Sequence, residues 1–344
     1  MRDLTSGTDR VWLGPGLSKS ALAWSADDRS VMFLGNSTDD PSRSDVYRVS
    51  EGQAPVVLTP EPGLKAAPQY DIAGRTLVYQ ESQAAAGRAG GGGGGGQGRA
   101  GGAPALPTFG IVDLANKTTK KISGASLTLS ADGSAVAFLA RNADGEMAVQ
   151  MAPTSTGVPA VVRTNATGEI LATPAISPDG KLVAYQVMRD TDWEIYVSDA
   201  AGTHRRVTRD IQHDVLPRFL TPTTLIGLMG EARHRRSQLY DLTAGTRTRL
   251  FSNNSIRTIS PEYIWVPNAT GTHIVIQADR DGDTITNERS VSVVDLTRKV
   301  TVADVLARID QQGAREDDLR QRMTAAFKPV VDLVRRVLAE ASEQ

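Results

Sequence analysis

Residues 174–187 read PAISPDGKLVAYQV: an apolar run, a four-residue polar turn and a second apolar run. Pro178 suits the first central position of a type I turn, Asp179 the second, and Gly180 the position that closes it. A lone two-stranded hairpin is barely stable in water, so this stretch must belong to something larger. Five other stretches share its form. They are ALAWSADDRSVMFLG (21–35), PQYDIAGRTLVYQ (68–80), LTLSADGSAVAFLA (127–140), PRFLTPTTLIGLMG (217–230) and YIWVPNATGTHIVIQA (263–278). Their reference positions, Ser25, Asp71, Ser130, Ser177, Leu220 and Val266, lie 43 to 59 residues apart, and the longest interval holds a glycine tract. The second half of the unit repeats too, as in SDVYRVSEGQAPVVLT (44–59), FGIVDLANKTTKKIS (109–123), WEIYVSDAAGTHRRVT (193–208) and SQLYDLTAGTRTRLF (237–251).

Four short strands per unit at this period are the mark of a β-propeller blade. A blade cannot cover both of its own faces, and stacking blades around an axis does so. The prediction is therefore an all-β fold, a six-bladed propeller of four-stranded blades over residues 1–300, followed by a C-terminal α-helical segment, 301–344. The last unit, SVSVVDLTRK (290–299), is short of an outer strand, and the segment Asp3–Leu13 is expected either to supply it or to be the tail of an upstream blade.

Composition agrees. The 344 residues are 40% hydrophobic with 32 glycines, a balance that favours short strands and turns. The net charge of −1 gives no overall field toward nucleic acid or anionic lipid. The absence of cysteine excludes disulfides, thiolate zinc sites and cysteine nucleophiles. No apolar stretch is long enough to span a membrane.

Residues 84–107, AAAGRAGGGGGGGQGRAGGAPALP, carry almost no apolar side chains and read as a solvated, disordered loop within blade two. From Thr301 the period becomes helical. Val302, Val305, Leu306 and Ile309 share a face, then Leu319, Met323 and Phe327 follow Gly313. Pro329 is expected to kink the helix or to start another bearing Val330, Val334, Val337 and Leu338. This pattern runs to the last residue, so a downstream domain is expected.

Chemistry is sparse. There is no Gly-x-Ser-x-Gly nucleophile turn, and His204, His213, His234 and His273 show no ligand spacing. No catalytic residue is assigned. In DRDGDTITNE (279–288), Asp279, Asp281, Asp283 and Glu288 are candidate calcium ligands, although the glycine sits at the fourth position of the loop and not the sixth. The alternative is a solvated hairpin loop, and no other cofactor is expected. RHRR (233–236) and HRR (204–206) read as solvated basic loops and turns without the interleaved aromatics of a nucleic-acid site. Trp12, Trp24, Trp193 and Trp265 read as blade packing. Propellers bind ligands where their innermost strands converge, and this places Lys65, Asp214, Arg218 and Arg257 as candidate ligand residues at the channel mouth.

SPDGKLVAY (177–185) followed by WEIYVSDAAGTHRRVT resembles the repeat of TolB-like, WD-repeat-like propellers, which also occurs in the propeller domains of prolyl oligopeptidases and tricorn-type proteases. VVDLTRKVTVADVLARI (293–309) resembles the entry from such a propeller into a zinc aminopeptidase-type domain of bacterial exported proteases. The resemblance implies a non-catalytic domain that binds protein or peptide, gates or scaffolds a downstream protease domain, and resides in the periplasm or outside the cell. Two alternatives stand beside it: a free-standing TolB-like scaffold docking a partner protein, and a propeller enzyme such as a lyase or glycosidase.

Overall fold

The computed structural model describes residues 10–25, 29–37, 40, 42–59, 61–82, 105–231, 235–250, 264–268, 270–279, 289–298 and 302–342. They form two compact units, residues 1–294 and 295–344.

The first unit holds six antiparallel sheets, each built from strands consecutive in sequence. Blade one comprises β1 (Leu17–Trp24), β2 (Ser30–Ser37), β3 (Ser44–Ser50) and β4 (Val56–Val57). Blade two comprises β5 (Leu64–Tyr70), β6 (Thr76–Ser82), β7 (Thr108–Asp113) and β8 (Thr118–Ser123). Blade three has β9 (Ala125–Leu129), β10 (Ala135–Arg141), β11 (Met147–Pro153) and β12 (Ala160–Thr164). Blade four has β13 (Ile170–Ile176), β14 (Leu182–Arg189), β15 (Asp192–Asp199) and β16 (His204–Arg206). Blade five has β17 (Asp214–Thr221), β18 (Thr224–Met229), β19 (Arg236–Asp241) and β20 (Thr246–Arg249). Blade six shows β21 (Ile264–Pro267), β22 (His273–Asp279) and β23 (Arg289–Asp295), three strands among the described residues.

The hairpin of residues 174–187 forms as its sequence requires. The Gly180 amide donates to the Ser177 carbonyl (3.0 Å), while the Ser177 hydroxyl accepts from the Leu182 amide (2.9 Å) and donates to Asp179 (2.7 Å). Gly180 has φ 68°, the left-handed conformation of a type I turn closed by a glycine bulge. Blade three repeats the device with Ser130 and Asp132. Blade five turns instead through Pro222 and Thr223, between the paired Thr221 and Thr224.

Middle strands are apolar at successive positions because both faces are covered. Strand β10, AVAFLAR, is buried at every residue but the last. Each interface is a layer of side chains from two blades. Val78, Phe109 and Ile111 of blade two meet Leu127, Val136 and Phe138 of blade three. Leu139, Val149 and Met151 of blade three meet Val183, Tyr185 and Val187 of blade four. Ile195 and Val197 of blade four meet Phe219, Leu225 and Tyr240 of blade five. At about 1.5–3 kcal/mol for each large side chain buried, these layers dominate the stability of the ring. The outer strands β16 and β20 are exposed and basic, which protects sheet edges from pairing with other chains.

Several expectations need correction. Residues 204–206 are a strand, not a turn: Arg205 donates to the Leu242 carbonyl (2.6 Å), and Arg206 pairs with Glu194. Leu106 packs on the blade two–three layer and the Pro107 carbonyl accepts from Gly124 (2.9 Å), so the ordered fold resumes before the expected end of the loop at 107. The glycine tract itself lies outside the described residues. Arg10–Leu13 do not form a strand. Trp12 and Leu13 pack against Val31, Phe33 and Val49 of blade one, Trp12 meets Trp24 edge-on at 5.7 Å, and Arg10 pairs with Glu51 (2.8 Å). Residues 3–9 lie outside the described residues.

The second unit holds one helix, α1 (Val302–Ser342), which continues through Gly313 and Pro329, so of the two expectations at Pro329 the start of a new helix is not met. A proline removes one helical hydrogen bond, a loss that the rest of a 41-residue helix tolerates. Leu319, Met323 and Phe327 lie exposed along it. No described helix is long and apolar enough to cross a membrane.

Candidate ligand-binding site

The innermost strands share an irregularity at one point of the repeat. Each of β1, β5, β9, β13 and β17 slips register against its neighbour. Each contains one residue in the left-handed region at the same point of the repeat: Ala21, Ala67, Ser126, Thr173 and Leu216, with φ between 43° and 54°. Left-handed geometry costs a non-glycine residue roughly 1–2 kcal/mol, so a ring of five reflects a bulge built into the fold. Pro68, Pro174 and Pro217 follow immediately, where interrupted pairing leaves no ladder bond for a proline to break.

Side chains at and beyond the bulge stitch one blade to the next. Gln69 of blade two donates to the Leu127 carbonyl (2.7 Å) and accepts from the Leu129 amide (2.9 Å) of blade three. Thr128 of blade three accepts from the Ile176 amide of blade four (3.2 Å). Gln186 of blade four accepts from the Leu216 amide of blade five (2.9 Å) and from the Thr173 hydroxyl.

Strands β5, β9, β13 and β17, with β21 of blade six, line a cavity of about 980 Å³. Its wall is mostly apolar. Leu216, Ile72 and Val266 are exposed there, and the half-buried Pro68 and Pro267 add surface with no N–H to donate. Arg218 is the single charged residue among its described lining residues. Its guanidinium reaches solvent, yet the surrounding protein displaces enough water to lower its pKa from the ordinary value. Such a surface suits recognition, offering large contact area with few orienting polar groups.

Of the four residues expected at the channel mouth, Arg218 lines this cavity. Lys65 and Asp214 do not, because both stand two residues before the left-handed residue and turn into the blades. Lys65 is buried, with Nζ 3.0 Å from Asp45, which also accepts from Arg43 (2.7 Å). Asp214 is fully buried. Its Oδ1 accepts from the Tyr240 hydroxyl (2.8 Å), and its Oδ2 has no hydrogen-bond partner among the described residues. Burial pushes its carboxyl up to about 7, opposed by the Tyr240 hydrogen bond and assisted by the charges of Asp210 and Glu194. Arg257 lies outside the described residues. So do Asp281, Asp283 and Glu288 of the calcium proposal, while Asp279 ends β22. The described residues contain no cluster of three or more potential metal ligands.

Composition gave no warning of Leu216, Gln69 or Thr128, whose roles depend on the bulge. The one usable signal was the proline opening three of the inner stretches, at positions 68, 174 and 217.

Comparison with known proteins places this architecture. No family model matches the sequence, and no curated protein matches it significantly. Among solved structures it is similar to a prolyl endopeptidase, with TM-score 0.58 and 13% identity, over 83% of this chain and 42% of that one. It is similar to an acylaminoacyl peptidase from Pyrococcus horikoshii, with TM-score 0.56 and 11% identity, over 82% of this chain and 45% of that one. An oligogalacturonate lyase in complex with manganese gives TM-score 0.55 and 14% identity, over 83% of this chain and 78% of that one. The chain thus spans less than half the length of the two peptidases. At these identities the likeness is one of fold: the chain is a six-bladed β-propeller of the architecture found in those peptidases.

Proposed function

We propose that this chain is a non-catalytic propeller that binds a protein or peptide in the cavity of its inner strands, serving as the gating or scaffold domain of an exported bacterial protease. The cavity carries the reading: apolar, lined by five blades, and large enough for a short extended segment. The shared fold with two peptidases, each more than twice as long as the matched region, supports the association with a protease domain. Fold by itself does not fix function, so the test must address the site.

That test is fluorescence anisotropy with labelled apolar hexapeptides and the purified chain. Micromolar to millimolar binding is expected, weakened at least tenfold by Leu216→Asp, which puts a charge on the wall. Absence of binding, or binding unaffected by that variant, would overturn the cavity as the site.

A further inference from the structure

We infer that the outer edges of blades four and five form a second binding site, a basic groove that takes an extended acidic peptide segment. It is independent of the cavity of the inner strands.

A cavity of about 590 Å³ lies between β16 with the residues that follow it, on blade four, and β19 and β20 of blade five. Its lining combines buried Thr208, Tyr240 and Leu242 with exposed Arg205, Arg209 and Arg247. Two contacts tie the blades together across it. Arg205 donates to the Leu242 carbonyl (2.6 Å), and Arg247 pairs with Asp210. The groove is thus preformed, and a ligand entering it has little of the protein left to order.

Its charge sets it apart. The protein as a whole is nearly neutral, with a net charge of −1. The outer strands of blades two and three offset their cations: Lys121 pairs with Glu81 (2.7 Å) and Arg163 with Glu169 (2.6 Å). At blades four and five the offset is incomplete. Asp210 answers Arg247 and Glu194 answers Arg206, but no described acid is paired with Arg205, Arg209 or Arg249. The side chains of Arg209 and Arg249 make no hydrogen bond among the described residues, so all their donors remain for a ligand.

The spacing suits an extended chain. Arg247 and Arg249 alternate along β20, so both lie on the face of the sheet that carries Tyr240 toward blade four, about 7 Å apart. A peptide in strand conformation with an acid at every second residue has the same repeat, and each carboxylate matches a guanidinium fork. A nucleic acid suits the groove less well. Asp210 and Asp241 interrupt the positive surface that a continuous phosphate backbone needs, and Tyr240, the one aromatic among the described lining residues, is buried and offers no ring for stacking.

The test is fluorescence anisotropy on the purified chain with a labelled hexapeptide of alternating Glu and Ser, against its counterpart carrying Gln for every Glu. The acidic peptide should bind at least tenfold more tightly, and the advantage should shrink as salt is raised. Arg209→Gln combined with Arg249→Gln should weaken it at least tenfold; neither side chain bonds within the described residues, so folding is not at stake. Lys117→Gln combined with Lys121→Gln removes as much charge at blade two and should leave binding unchanged. Equal binding of the two peptides, or the same affinity in both double variants, would overturn the groove. An apolar hexapeptide that displaces the acidic one would overturn a site separate from the inner-strand cavity. An oligothymidine of equal charge that competes as well would overturn a peptide occupant.

Discussion

Two charged residues at one position of the repeat show how differently equivalent sites can be resolved. Lys65 and Asp214 both sit two residues before the left-handed residue of an inner strand, and both are buried. Lys65 has an acid in reach; Asp214 has a phenol for one oxygen and, among the described residues, no hydrogen-bond partner for the other. A carboxyl whose folded pKa of about 7 exceeds its unfolded value of about 3.9 holds a proton that the unfolded chain has released. Stability from this group therefore falls as pH rises from about 4 to 7, levels off above 7, and is unaffected below 4, where both states are protonated. Asp214→Asn keeps an acceptor for Tyr240 and removes the titration. Urea unfolding should show it matching the native chain near pH 4 and exceeding it by about 1–3 kcal/mol near pH 8. Parallel pH profiles for the two proteins would refute this account of Asp214. Gly180 offers a second residue-scale test, because a Cβ there would lie 2.5 Å from the Ser134 hydroxyl oxygen of blade three at an already positive φ. Gly245 has a similar φ of 66° with open space around it. Gly180→Ala should cost about 2 kcal/mol or more and Gly245→Ala about 1, the difference measuring the close contact between turns.

At the scale of the element, the inner strand is a short ladder broken by design and tied sideways. Gln69 replaces two backbone partners that the bulge withholds from blade three, one donor and one acceptor. Gln69→Ala leaves the Leu127 carbonyl and Leu129 amide without those bonds, at a cost of about 1–3 kcal/mol. Amide exchange should quicken first at Leu129 in this variant. Exchange that quickens evenly over all blades would show that the stitch has no local role. Helix α1 makes the complementary point, since Pro329 does not start a new helix where the propensity of a long polar and aliphatic sequence carries it through.

At the scale of the molecule, the number of blades was legible because the turn chemistry repeats: Ser-x-Asp-Gly at Ser177 and Ser130, Asp71 at the corresponding place in blade two, and Asn268 in blade six. Middle strands were legible because two covered faces demand unbroken apolar runs such as AVAFLA (135–140). The binding surface was not. Alternation along a strand assigns each side chain to one face, and a single left-handed residue shifts that assignment for everything around it. Lys65 and Asp214 were therefore expected in the channel and are found inside the blades, whereas Leu216 and Gln69 passed as ordinary strand residues. The outer strand of 204–206 was legible from the repeat of the unit, while its charge taken alone mimics a turn, and its pairing with β15 shows it to be a sheet edge.

The central claim, that ligand is held by the inner strands, is tested most directly by amide hydrogen exchange of the chain with and without a saturating apolar hexapeptide. The account predicts slowed exchange along Leu64–Tyr70, Ala125–Leu129, Ile170–Ile176 and Asp214–Thr221, with His204–Arg206 and Thr246–Arg249 unchanged. Slowing confined to those outer strands, with the inner four unaffected, would contradict it.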